Sequence, residues 1–463
     1  MNNNIVAEII NIVKTTKNNI DREDKLRKYF EAKMCEWVRQ ALEAIDRELA
    51  AQYGKEGWHV ERRDNRTVQT TYGTISIKRR RMCKDGEASI YPLDKELGIR
   101  RYQRYSAYFE YHVARIAAKT VYRTTALAVN TLTPADISHQ QVGNIVKHVG
   151  EKYAEWEKEQ QQDECGQVQE LKTPEVLYIE GDGLEIKGQK GKHMEVHRFQ
   201  IAEGVTEHKN RRELVGAHYI SDFEHRKAVK AMTDYLSMHY DLSKTIVMSN
   251  SDGGSGYTAQ VFEEILGRTK RHEHFRDRYH VNKKIKDRIA WAGKDLISEL
   301  HKALRTHDWD KVSTVLDTVL SQAQDEGQSE HTERLRSYLQ RNWDYLRNMK
   351  QRGLEAYEKL IGTCESNHRL YSYRMKKQGR RWGKTGGLGM VKILTGIKNG
   401  DLRCALAARE EYFEHAPSEN FRGAVRQALK KVKQIPHEGV IHGRIYLDAP
   451  SSSPIGKLAK VIA

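Results

Sequence analysis

Two aspartates, each followed or flanked by glycine and preceded by an apolar run, are the residues in this sequence best set to do chemistry. Asp182 follows Val176-Leu177-Tyr178-Ile179 within Gly181-Asp182-Gly183, and Asp252 follows Thr245-Ile246-Val247-Met248 within Ser251-Asp252-Gly253-Gly254. Short apolar runs rich in β-branched residues and bounded by glycine read as buried strands. Carboxylates at the ends of neighbouring strands are the hard oxygen donors that Mg2+ selects. Two such ions about 4 Å apart support phosphodiester attack, one activating a water or 3′-hydroxyl and the other stabilising the leaving oxygen. The glycines would let backbone and a polyanion approach closely. Acids at strand ends are also common as loop residues and helix caps, so the pair depends on its surroundings for meaning.

A third acid is marked less sharply. Glu365 stands in Gly362-Thr363-Cys364-Glu365-Ser366, ahead of a basic helix with Arg369, Arg374, Lys376 and Lys377. A carboxylate at a helix start is favoured by the helix dipole whatever its function. On spacing alone Glu355 and Glu358 remain competitors.

The elements that must position these acids form an α/β pattern from residue 173. Strands are expected at Glu175–Glu180, Met194–Ile201 and Leu214–Ile220, then a helix at His225–Tyr240 and a strand at Thr245–Met248. A helix to about Leu266 and a strand at His272–Phe275 follow. Three strands, helix, strand, helix, strand is the order of an RNase H-like core, a mixed five-stranded sheet with helices. Its first part would cover 173–280 and its last part 354–415, interrupted by an all-helical insertion over 281–353, with a C-terminal tail at 416–463. In the insertion, Trp291 and Trp343 read as core residues or as aromatics facing a distorted base.

Upstream, three regions read as a DNA-binding half. Residues 1–55 are helical, with Leu26, Tyr29, Phe30, Met34 and Trp37 at helical steps. Residues 56–100 contain a hairpin, Thr67–Thr71 and Thr74–Lys78 about Tyr72-Gly73, that runs into Arg79-Arg80-Arg81. This cluster is either a solvated strand end or a contact to DNA backbone. Residues 101–172 pair a helix at Tyr122–Asn130 with one capped by Ser138, followed by a polar linker. In the second helix Val142, Ile145, Val146 and Val149 form the apolar stripe, while Gln140, Gln141, Asn144 and Lys147 lie on the other face. Such a pair is a helix-turn-helix with a recognition helix for the major groove, or a plain helical hairpin.

Composition agrees with a polyanionic partner. The 463 residues hold 79 Lys and Arg against 63 Asp and Glu, a formal charge of +16, and neutralising phosphates releases counterions. No 18-residue apolar run or signal-like start occurs, so neither export nor a membrane partner is expected. The five scattered cysteines fit a reducing interior and argue against a zinc module. The expected location is cytoplasmic and nucleoid-associated in a prokaryote.

Taken together, Tyr178-Ile179-Glu180-Gly181-Asp182-Gly183, Ser251-Asp252-Gly253, Asp277-Arg278-Tyr279-His280 and Glu365 before Asn367-His368 resemble the ISLre-type insertion-sequence transposases, relatives of the Mutator-like group. The resemblance implies a DDE transposase with Asp182, Asp252 and Glu365 as catalytic, metal-binding acids and two Mg2+ (or Mn2+) ions. It implies an auxiliary aspartate-x-x-histidine motif in Asp277 and His280; as residues alone these read equally as a hydrogen-bonded core pair. Its partners would be double-stranded DNA, both terminal inverted repeats and target, and a second copy of itself, since two ends must be joined. Here Cys364 and Ser366 flank the glutamate where such families often carry an aromatic or aliphatic neighbour. Two alternatives stay open: an inactive or domesticated DNA-binding regulator, and a structure-specific nuclease on the same fold.

Overall fold

The computed structural model describes residues 2–163, 170–208, 211–360, 369–377 and 379–407. The chain opens with α1 (Asn2–Thr15) and a 37-residue α2 (Asn19–Lys55), against which lies a hairpin of β1 (His59–Thr70) and β2 (Gly73–Cys83). The hairpin is about twice the expected length, because alternation continues past the arginine cluster and β1 keeps pairing through His59 and Cys83. Ile75 and Ile77 turn inward to pack with Val38, Leu42, Ile45 and Leu49 of α2. After a short α3 (Pro92–Glu96) come α4 (Ala107–Ala117), α5 (Tyr122–Leu132) and α6 (His139–Asp163). The last runs beyond its expected stripe because Tyr153 and Trp156 extend the three- and four-residue steps of Val142, Ile145, Val146 and Val149.

The architecture is mixed α/β around one five-stranded sheet. It comprises β3 (Val176–Lys187), β4 (His193–Ala202), β7 (His218–Asp222), β8 (Ile246–Ser251) and β9 (Arg271–Arg276), in spatial order β7-β4-β3-β8-β9. β4 pairs antiparallel with both β3 and β7, and β3, β8 and β9 are parallel. Two sequence expectations change. β3 does not stop at the glycines, since Leu184 and Ile186 alternate with Glu185 and Lys187 and carry the strand through Asp182. The single strand expected over Leu214–Ile220 is two: β5 (Gly204–His208) and β6 (Arg211–Val215) form a separate hairpin, and β7 returns to the sheet. The break is at Gly216, whose φ of +58° suits glycine far better than a side-chain-bearing residue.

On one face, α7 (His225–His239) and α8 (Ala259–Leu266) cover Leu177, Ile179, Phe199, Ile201 and Val247. After β9 the chain enters four helices with a core of their own, α9 (Arg278–Ile289), α10 (Lys294–Thr306), α11 (Trp309–Ser321) and α12 (Glu326–Arg341). Trp343 stacks on His307 at 4.0 Å and packs with Trp291 against that core. Finally α13 (Lys384–Asn399) and α14 (Leu402–Ala407) join α4, α5 and α6 over Leu184, Ile186 and Val196. No described helix is long and apolar enough to cross a membrane.

α6 and α13 touch backbone to backbone. A Cβ on Gly150 would lie 2.2 Å from Gly389 Cα, so the crossing admits no side chain. Gly150→Ala should therefore cost roughly 2 kcal/mol or more by overpacking. Gly54→Ala, whose added methyl meets nothing within 4 Å, should change stability by under about 1 kcal/mol. Urea unfolding of the two variants beside the parent measures the difference.

Candidate active site

β3 and β8 pair in parallel from Val176 with Ile246 to Gly181 with Ser251. The next residue along each is an aspartate, Asp182 still within β3 and Asp252 just past the end of β8. The Asp182 side chain is 13% exposed, and His280 Nε2 lies 4.0 Å from its Oδ2. His280 occupies the first turn of α9, which Asp277 begins. Asp277 Oδ1 accepts the backbone N–H groups of Tyr279 at 2.8 Å and His280 at 3.1 Å, and Oδ2 accepts the Asn250 amide at 3.2 Å. Asp277 and His280 are thus joined through the backbone, while the imidazole faces Asp182. The buried Asp277 ties the insertion's first helix to β8 and sets where His280 stands.

Asp252 follows the end of β8, its Oδ1 accepting the Gly254 N–H at 2.8 Å. Between them Gly253 has φ +80°, and a Cβ there would meet Arg276 Nη1 at 1.8 Å. Both the conformation and the close guanidinium demand glycine. Arg276 is buried, and its Nη1 donates to Ser251 Oγ at 3.4 Å. Burial draws the pKa of Arg276 down against the charge of Tyr338 and Asp252. Lys284 of α9, with Nζ 4.3 Å from the Tyr338 ring centroid, is likewise lowered by burial and supported by Asp252. Two cations therefore add positive potential at Asp252. Beside Asp182, its cross-strand partner Arg198 is buried over the Tyr371 ring at 4.2 Å.

A cavity of about 470 Å3 opens on Asp252, lined by Gly183, Glu195, His197, His225, Gly254 and Tyr257 among others. His197 Nδ1 and Tyr257 OH share a hydrogen bond of 2.9 Å. Burial, reinforced by the carboxylates of Glu195, Asp182 and Asp252, pushes the Tyr257 phenol up, so it keeps its proton. None of Arg198, Glu195, His197, Arg276 or Lys284 was singled out from sequence. The available signals were the alternation of Glu195 and His197 on β4 and the arginine directly before Asp277.

Other expected site residues are distributed unevenly. Glu365 lies outside the described residues. Near its competitor Glu355, Tyr357 bonds to Glu175 beside the start of β3, seven residues or roughly 23 Å along the strand from Asp182. Arg374 is not a surface cation. It is 1% exposed, donates from Nε to the Ala117 carbonyl at 2.7 Å, and lies over Trp382, with burial lowering it to about 10. Lys376 and Lys377 are exposed. Arg79 is buried on Asp94 at 3.0 Å and over Tyr91, Arg80 pairs with Asp46, and Arg81 with Glu61 at 3.3 Å. Gln141 is spent on the start of α6, accepting the Ser138 N–H at 2.6 Å. Gln140, Asn144 and Lys147 face solvent.

The chain belongs to an uncharacterised protein family (UPF0236), whose family model matches residues 18–411. A relative from Streptococcus gallolyticus, named for the vanSb 3′ region, is 36% identical over 99% of this chain and 100% of its own length. Another, from Caldanaerobacter subterraneus subsp. tengcongensis, is 25% identical over 87% of this chain and 84% of its own; its name joins four locus designations. Among solved structures, the Drosophila P element transposase strand transfer complex aligns over 73% of this chain and 94% of that one at 10% identity. Its TM-score of 0.22 is too low to establish a common fold.

Two outcomes test the local construction. Asp277→Ala removes a helix cap and strands the Asn250 amide, which should cost about 2 kcal/mol in urea unfolding. Beneath Asp252's strand, His274 bonds Ser249 Oγ at 2.8 Å, and burial, with Arg276, His272 and Arg352, holds it down to about 3 from an ordinary 6.5. The unfolded chain binds this proton near pH 6.5 and the folded chain does not. The site is therefore neutral to stability above pH 6.5 and destabilises by about 1.4 kcal/mol per unit as pH falls toward 3. His274→Asn should flatten the decline between pH 6.5 and 5; an unaltered slope would mean that His274 titrates as a free imidazole.

Proposed function

We propose that the protein is a DDE transposase of an insertion sequence of the ISLre type, a metal-dependent enzyme of DNA cleavage and strand transfer. The observation that carries this reading is the parallel pairing of β3 and β8 up to Gly181 and Ser251, the residues directly before Asp182 and Asp252, with His280 Nε2 4.0 Å from Asp182 Oδ2. The sheet order supports an RNase H-like core, with one acid on the central first strand and the other after the fourth. The helical insertion after the fifth strand agrees with it.

The donor set suits Mg2+ or Mn2+, because Asp182 and Asp252 offer carboxylate oxygens beside space kept by glycine. Among the described residues no three His, Cys, Asp or Glu side chains form a metal site, and Glu365 is assigned as the third donor. Bound divalent ions supply Lewis acidity and an activated oxygen nucleophile. The chain's own residues do the rest: Arg276 and Lys284 draw a phosphodiester backbone toward Asp252, and Asp277 fixes His280 against Asp182. The substrates are double-stranded DNA, the element's inverted-repeat ends and a target. Two copies of the chain act together because two ends are joined. The four loci united in one relative's name suit a gene that is copied about its genome.

Purified full-length protein with Mg2+ should cut labelled duplexes carrying the DNA that borders its gene. Asp182→Asn and Asp252→Asn should each lower cleavage at least a hundred-fold while leaving thermal unfolding and DNA affinity close to the parent. Cleavage that survives both substitutions sinks the assignment.

A further inference from the structure

The arginine cluster that first marked the hairpin is taken up by ion pairs to Asp94, Asp46 and Glu61, but the outer face of the same hairpin carries free polar side chains. We propose that the β1–β2 hairpin reads DNA sequence, its outer face lying in the major groove of a duplex. This rests on the DNA-processing reading above and names the element that selects the DNA.

Register divides the ribbon from Asn65 to its tip, while at its base Arg80, opposite Arg63, is drawn to Asp46 of α2 and Arg62 is exposed. Asp64 opposes Arg79, Arg66 opposes Ile77 and Val68 opposes Ile75, all on the inner face. Both acids of β1 are engaged away from the outer face, Asp64 by the Tyr91 hydroxyl at 2.5 Å and Glu61 by Arg81 at 3.3 Å. The outer face presents Arg63, Asn65 and Thr67 beside Lys78 and Ser76, all five exposed and none acidic. Among the described residues none of these five side chains has a hydrogen-bond or ion-pair partner. Asparagine pairs bidentately with the adenine edge and hydroxyls bond to any base, which makes Asn65, Thr67 and Ser76 the readers and leaves the longer Arg63 and Lys78 for phosphates.

Dimensions agree. Two strands about 4.8 Å apart, with side chains, fit a major groove about 12 Å wide. Arg63 to Thr67 spans roughly 14 Å, or about four base pairs at 3.4 Å each. The A-form major groove of RNA is too deep and narrow for such a ribbon.

A basic loop is fastened to the ribbon's flank. Arg66 donates to the carbonyls of Arg100 and Gln103 at 2.7 Å each, and the Gln69 N–H donates to Arg104 at 2.8 Å. Between them Tyr102 is 75% exposed at φ +65°, with the Arg101 guanidinium 4.8 Å from its ring. A tyrosine takes that backbone conformation only where its neighbours hold it. Arg100, Arg101 and Arg104 are set to grip the phosphates beside the groove. α6 is the weaker reader, because α13 lies against it at Val146, Lys147 and Gly150 and α4 and α5 pack along it.

The test uses the full-length protein and a duplex pool with 20 randomised base pairs. The parent should enrich a motif of about four base pairs or more. Asn65→Ala with Thr67→Ala and Ser76→Ala should lower the preference for the enriched over a scrambled duplex at least ten-fold, with under three-fold loss on the scrambled one. Gln140→Ala with Asn144→Ala should leave the preference intact. Arg63→Ala and Lys78→Ala should weaken both duplexes equally, each reducing the salt dependence by about one phosphate's worth. Thermal melting checks the fold, and single Asn65→Ala and Ser76→Ala variants stand in if the triple unfolds. The proposal is overturned if ribbon variants keep the parent's preference, if the α6 variant loses it, or if duplex RNA binds better. A parent that cuts DNA with Mg2+ yet meets one of these outcomes leaves the active-site reading standing. A parent that neither binds nor cuts DNA removes both.

Discussion

The whole site hangs on the register between β3 and β8. Period-two alternation places Leu177, Ile179 and Val247 under α7 and α8, while Val176, Tyr178 and Met248 face the opposite cluster. A slip of one residue would invert every one of these side chains on the strand that moved. The same apolar packing that forbids the slip also pairs Gly181 with Ser251, the residues directly before Asp182 and Asp252. Asp252 accepts the Gly254 N–H and Asp182 faces His280, while the strands that carry them toward the site are set by the hydrophobic residues behind them.

The insertion extends this control. It has a core independent of the sheet, yet it reaches back through the N-cap at Asp277, through Lys284, and through Tyr345, which lies 5.2 Å from the His274 ring and 5.4 Å from the Arg276 guanidinium. The strand ends on that side of the sheet are thereby roofed by aromatic rings and cations. Positive charge at Asp252 is held by the buried Arg276 and the half-buried Lys284 and so resists screening by salt better than a surface patch would.

Much of this was legible because strands buried on both faces leave continuous apolar runs. Val176–Ile179 and Ile246–Met248 announce themselves, and glycine with aspartate marks where they approach the site. The same glycines misled at β3, where the strand runs on because Leu184 and Ile186 pack under α6 and α13, a tertiary fact invisible locally. The Arg79-Arg80-Arg81 run looked like a surface feature because composition does not say which way a strand's side chains point. Asp46, Asp94 and Glu61 are distant in sequence and claim all three. Arg198, Glu195 and His197 escaped notice for the opposite reason, being ordinary polar residues of a sheet strand whose neighbours come from β3 and α8's approach loop.

The glycine contact between α6 and α13 joins residues 150 and 389, so the chain's first-half and last-quarter segments complete one another. Contacts of such sequence separation form late, after a large loop has been closed. A ribosome releasing the chain from its N-terminus would expose the apolar stripe of α6, with the sheet face of Leu184 and Ile186, until α13 emerges. The acids of β3 and β8 are made long before the layer that backs them. A prematurely terminated copy would keep that apolar surface uncovered and be a sticky, chaperone-dependent fragment.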